Sequence, residues 1–134
     1  MTLDTYVRAM MARFAIEEGY EYGGVNNMLA VAFVLRNRVF GGWGDWLEVV
    51  TGAPAKRANL YIPPISNIRS SNVRVVLNRI DEIYTRTDVN DFTGGALFYV
   101  DPTREMAPWF KSEVLDRPED HQRSAHVGPV WFFK

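Results

Sequence analysis

Apolar residues in the first part of the chain fall at helical intervals. Leu3, Val7, Met10, Met11, Phe14 and Ala15 recur at three- and four-residue steps, with Arg8, Arg13 and Glu17 outside the stripe. This spacing predicts an amphipathic helix from Thr2 to about Glu18, stopped by Gly19, with Gly23 and Gly24 in a loop. Asn26 or Asn27 would cap a second helix, Met28 to about Val39, whose opening run MLAVAFVL is apolar on every side. A helix with that pattern belongs in the middle of a core. Gly41, Gly42 and Gly44 then break the chain.

A short helical piece carrying Trp46 is predicted around Asp45 to Val50, followed by a loop from about Thr51 to Ser70 containing Pro54, Pro63 and Pro64. Ser70, Ser71 and Asn72 offer an N-cap for a third helix with the stripe Val73, Val76, Leu77, Ile80 and Tyr84. After Asp88–Asp91 the character changes. Ala96–Val100 and Val130–Phe133 read as short strands. Neither a repeat nor an internal boundary interrupts the chain, so residues 1–134 read as one α+β domain, mainly helical, with a small β part at the end.

Composition narrows the functions. A chain of 134 residues with 47% hydrophobic positions can build one core. A net charge of -1 argues against a nucleic-acid partner, which usually meets a basic excess. Arg74, Arg79 and Arg86 on the third helix are all that such a reading could use. The chain contains no cysteine, which excludes thiolate chemistry and disulfides. Asp4, Arg8 and Arg13 interrupt the leading apolar residues, so neither a signal peptide nor stable membrane insertion is expected.

One carboxylate stands out. At roughly 100° per residue, position 18 projects between Val7 and Met11, in the middle of the first helix's apolar stripe. A carboxyl against apolar walls resists ionisation and can hold a proton near neutral pH, as a glycosidase general acid must. The plain alternative is that the helix frays at Gly19 and Glu18 reaches water. His121 and His126 follow Pro118–Glu119–Asp120, but their spacing fits no zinc motif, and a solvated loop is expected there. No metal or cofactor is expected. Arg36 and Arg38 either hold a ligand carboxylate or form a charged helix end.

The segment from Ala15 to Arg38, with Ala15-x-x-Glu18, a glycine loop and Ala30, Val31, Ala32, Val34, Asn37 and Arg38, resembles the SleB-type (spore-cortex-lytic) cell-wall hydrolases. Asp91-Phe-Thr93-Gly94-Gly95-Ala96-Leu97-Phe98-Tyr99 resembles the D-P-T-x-G-A-L-Y-F segment of that family, and Trp109-Phe110 falls where the family carries an aromatic before its last strand. The resemblance implies a fold related to lysozymes and lytic transglycosylases, with a small sheet beside a cleft. It also implies cleavage of peptidoglycan between N-acetylmuramic acid and N-acetylglucosamine. The family's catalytic glutamate carries over to Glu18, with Glu17 as second choice and Glu21 as third. Where the family ends Gly-x-His-x-Phe, this chain has Val130 in the histidine position, and Asn59–Ile62 replaces a Gln-Phe-Ser stretch.

On that reading Glu18 is the catalytic acid, and Thr93, Gly94, Gly95 and Tyr99 are substrate-binding. The glycines would let backbone approach a sugar, or simply form a turn. Tyr99 could stack on a sugar ring or hydrogen-bond to it, or pack in the core. One acid alone fits a lytic transglycosylase. A hydrolase would add a second carboxylate, Asp88 or Asp91, roughly 5–9 Å away. The partners would be peptidoglycan glycan strands and other virion proteins, the enzyme being carried in a phage or gene-transfer particle or released like an endolysin. The rival is a non-catalytic phage structural or host-interaction protein on a degenerate hydrolase fold.

Overall fold

The computed structural model describes residues 12, 14–16, 18, 19, 24–51, 70–86, 88–103, 106 and 108–134; the side chains of residues 47, 50, 51 and 70–77 lie outside that description. Expectations for Glu17, Glu21, the Asn59–Ile62 stretch and the stripe positions Val73, Val76 and Leu77 therefore fall outside the described residues. Residues 12, 14–16, 18 and 19 are helical and belong to the first helix, α1. Then come α2 (Val25–Phe40), α3 (Trp46–Thr51), α4 (Ser70–Thr85), β1 (Phe98–Val100), α5 (Pro108–Phe110), a π-helical turn (Lys111–Leu115), β2 (Arg123–Val127) and β3 (Val130–Phe133). The architecture is α+β: helices followed by a three-stranded antiparallel sheet of order β1-β3-β2. No helix among the described residues is long and apolar enough to cross a membrane.

The all-apolar run behaves as its pattern requires. Every residue from Met28 to Leu35 is buried, and α2 forms the axis on which the rest packs. Its start differs from the expectation: α2 begins at Val25, and neither asparagine caps it. Gly24 serves instead, with φ of 116° and its carbonyl accepting the Met28 N–H at 3.0 Å. Glycine tolerates that conformation, so the backbone supplies the cap and Asn27, inside the first turn, is buried.

Asp45 and Glu48 close a reciprocal capping box on α3. The Glu48 N–H donates to Asp45 Oδ1 at 2.8 Å and the Asp45 N–H to Glu48 Oε1 at 3.3 Å. Trp46 is thereby turned inward, its ring edge-on to Tyr84 and Phe40. Ile80, Ile83 and Tyr84 on α4 complete this side of the core.

The sheet is a middle layer. Alternation along the strands sends Tyr99, Val130 and Phe132 toward Ala30 and Val34 of α2, and Phe98, Val100 and Phe133 toward Phe110 and Val114. β3 matches the sequence expectation, whereas β1 starts at Phe98 because Ala96 and Leu97 still belong to the preceding turn. The expected solvated loop before His126 is in part strand β2, bulged between Arg123 and Ala125, with His126 paired opposite Trp131. Its residues, Arg-Ser-Ala-His-Val, are too polar to read as a strand; cross-strand pairing to β3 determines it.

Candidate functional site

The site begins at a glycine. Gly19 is still helical and buried, and a side chain there would overlap the backbone of Asn27 and Met28. The Gly24 N–H also donates to the Gly19 carbonyl at 3.3 Å. The residue read as a helix stop is thus where α1 meets the first turn of α2 without an intervening side chain. Glu18, its neighbour, is fixed beside the central helix and is half-buried.

From there Glu18 reaches the sheet. The Tyr99 hydroxyl donates to Glu18 Oε1 at 2.8 Å, across 81 positions of sequence. Tyr99 lies at the centre of β1, opposite Phe132, with ring centroids 6.0 Å apart. It packs against both the helical core and the cluster between α2 and the sheet. The expected acid and one of the expected substrate-binding residues therefore meet directly.

The Asp91–Ala96 segment is a second construction. Asp91 Oδ1 accepts the Thr93 N–H at 2.8 Å and the Thr93 hydroxyl at 2.6 Å. Its Oδ2 accepts the Gly95 N–H at 3.1 Å and the Asn37 amide at 2.9 Å. The same Asn37 nitrogen donates to the Ala96 carbonyl, and Arg38 Nε donates to that of Leu97 at 2.8 Å. The Asn-Arg end of α2 and the Asp-x-Thr-Gly-Gly turn, two separate motifs in the sequence, are one interlocked unit.

Within that unit the expected substrate-binding residues divide. Thr93 is fully buried with its hydroxyl committed to Asp91, so it shapes the turn and has no surface to present to a ligand. Gly94 and Gly95 are exposed at φ of 69° and 84°. A Cβ on Gly94 would crowd Ser124 at 3.1 Å, whereas Gly95 faces open space. Ser124 in turn donates to the Thr93 carbonyl at 2.6 Å and ties the turn to β2.

Both candidates for a second carboxylate are held by partners other than Glu18. Asp91 is occupied by four donors, and Asp88 lies in an exposed two-bond pair with Arg86 at 2.9 and 2.7 Å. Hydrogen bonding to Arg86, helped by a backbone N–H and the guanidinium charge, holds the Asp88 carboxyl below its ordinary pKa.

Other candidates prove structural. Arg36 and Arg38 are buried, which neither sequence reading expected. Arg36 lies over the rings of Phe33 and Phe40 and donates to the Ile83 carbonyl at 3.5 Å; Arg38 lies over Trp43. Trp46 is buried, while Trp109 and Trp131 are partly exposed, the latter beneath the Arg123 guanidinium. His121 bonds the Lys134 carbonyl at 2.8 Å and packs on Phe98. No group of three or more His, Asp or Glu suited to a metal occurs among the described residues.

A carboxyl oxygen held by a phenol beside a helix–sheet seam, with an exposed glycine turn on the same sheet, can act as an acid–base group toward a polar ligand. Compared with family models, with curated proteins and with solved structures, the chain matches none.

Proposed function

We propose that the chain is a peptidoglycan-cleaving glycosidase of the lytic transglycosylase or muramidase type. It would cut the glycan strand after N-acetylmuramic acid, with Glu18 as general acid and base. The observation that carries this reading is the station of Glu18: a half-buried carboxyl on α1, bonded to Tyr99 on the sheet. A lysozyme-like plan, with helices beside a small sheet and the acid at their junction, is consistent with that station. The order of the SleB-like motifs, Glu18, Asn37-Arg38 and Asp91–Ala96, adds support, because two of them bond to each other.

In the proposed reaction Glu18 gives its proton to the glycosidic oxygen as the C1–O bond breaks. The oxocarbenium-like carbon left behind is attacked by the substrate's own 6-hydroxyl, whose proton passes to the Glu18 carboxylate. A 1,6-anhydro sugar forms without water, and the acid is restored. This route is favoured over hydrolysis because Asp88 and Asp91, the two carboxylates considered as partners, are engaged elsewhere. Gly94 and Gly95 would let the strand approach backbone closely. The enzyme would reach the wall from a virion or after release from a lysing cell.

One observation favours the rival, a structural or host-interaction protein on a degenerate hydrolase fold. Val130, in the position of the family's histidine, is fully buried against Ala30 and Val34, so the chain has a core contact there. Digestion of purified peptidoglycan by wild type and Glu18→Gln, read by mass spectrometry, separates the two. Anhydro-muropeptides from wild type and only traces from the folded variant are expected. Reducing-end products would point to hydrolysis, and no release from several wall types would leave the structural reading.

A further inference from the structure

Resting on that reading, we propose that Tyr99 is a positioning residue that fixes which oxygen of Glu18 transfers the proton. Glu18 Oε1 accepts the phenolic O–H at 2.8 Å. A carboxyl with one oxygen so occupied carries its own proton on the other, so Oε2 faces the glycosidic oxygen and Oε1 faces the sheet. The terminal torsion of a glutamate is broad, and a free carboxyl would present either oxygen. Here it is pinned by a phenol whose ring is itself held, in β1 opposite Phe132 and between two apolar clusters. After proton transfer the same O–H stabilises the carboxylate that results. The hydroxyl of Tyr99 thus serves the acid, not the sugar.

Tyr99→Phe keeps the ring and its packing and removes only the hydroxyl. Steady-state kinetics on solubilised peptidoglycan strands should show kcat reduced on the order of tenfold with KM unchanged. In the Glu18→Gln background the same change should cost nothing further, because a residue acting only through Glu18 is non-additive with it. Wild-type kinetics in Tyr99→Phe would overturn the inference, as would a raised KM with kcat intact, which would make the hydroxyl a sugar contact. An additive loss in the double variant, or a melting transition showing Tyr99→Phe unfolded, would make it merely structural. If wild type cleaves no wall, the proposed function falls and this inference with it. If wild type is active and Tyr99→Phe equals it, this inference alone falls.

Discussion

The two constructions on the helix–sheet seam are built in opposite ways. At Asp91 both carboxyl oxygens are filled by donors from the turn and from α2, and the threonine inside is fully buried. At Glu18 a half-buried carboxyl has one side-chain hydrogen bond among the described residues, from Tyr99. A carboxylate with its lone pairs filled is a structural bolt. One with an oxygen to spare can still accept, hold or deliver a proton. Similar residue types thus separate into frame and chemistry by how completely they are satisfied.

The sharpest way to break this contrast is to exchange the consequences. Asp91→Ala should unfold or strongly destabilise the protein, on the order of 3 kcal/mol or more in urea melts, since several donors lose a charged acceptor together. Glu18→Gln should leave the urea midpoint within roughly 1 kcal/mol of wild type while lowering wall cleavage by about 10²–10⁴-fold. A Glu18 variant as unstable as the Asp91 variant would erase the distinction.

The glycines sharpen it further. Both residues of the turn have positive φ, so alanine at either should cost roughly 1–2 kcal/mol. Gly94→Ala should lie at the upper end because its Cβ also meets Ser124, and Gly95→Ala at the lower end because its Cβ meets nothing. Equal losses would show that strain alone matters there.

Smaller effects are expected away from the seam. Burial pushes the Tyr84 phenol far above its ordinary pKa, and its hydroxyl finds no partner among the described residues. Tyr84→Phe should therefore be neutral or stabilising, within about 1 kcal/mol by thermal melts. The Arg86–Asp88 pair should matter least. The folded Asp88 carboxyl titrates below its unfolded value, so the pair supports the fold above the ordinary carboxylate range. That support is lost as pH falls through the lowered value. Arg86→Ala should melt slightly below wild type at neutral pH and together with it in strong acid.

Much of the frame was legible in the sequence because it is written in apolar spacing. The unbroken run of α2 announced a central helix, and the helical wheel offered Glu18 either an inward station or a frayed end in water; it is helical, half-buried and bonded to Tyr99. What escaped depends on partners far along the chain. β2 exists through its pairing with β3, and Asp91, which anchors its own turn through Thr93 and Gly95, also ties that turn to the distant Asn37. Arg36 and Arg38 read as a carboxylate holder or a charged helix end, whereas aromatic rings and backbone carbonyls cover them. The Asp45–Glu48 box was available as a local signal and would have fixed the start of α3.

The strand order has a consequence for how the protein is made. β3, last of the three strands in sequence, is the middle one, and among the described residues both others pair with it alone. On the ribosome β1 therefore emerges with its edges bare and stays so until the final strand is synthesised. The helices, rich in contacts close along the chain, can consolidate early; the sheet must wait for a late, long-range closure. Until then Phe98 and Tyr99 would be the natural ground for aggregation or chaperone capture, and the half of the site that Tyr99 supplies would form after the helical half.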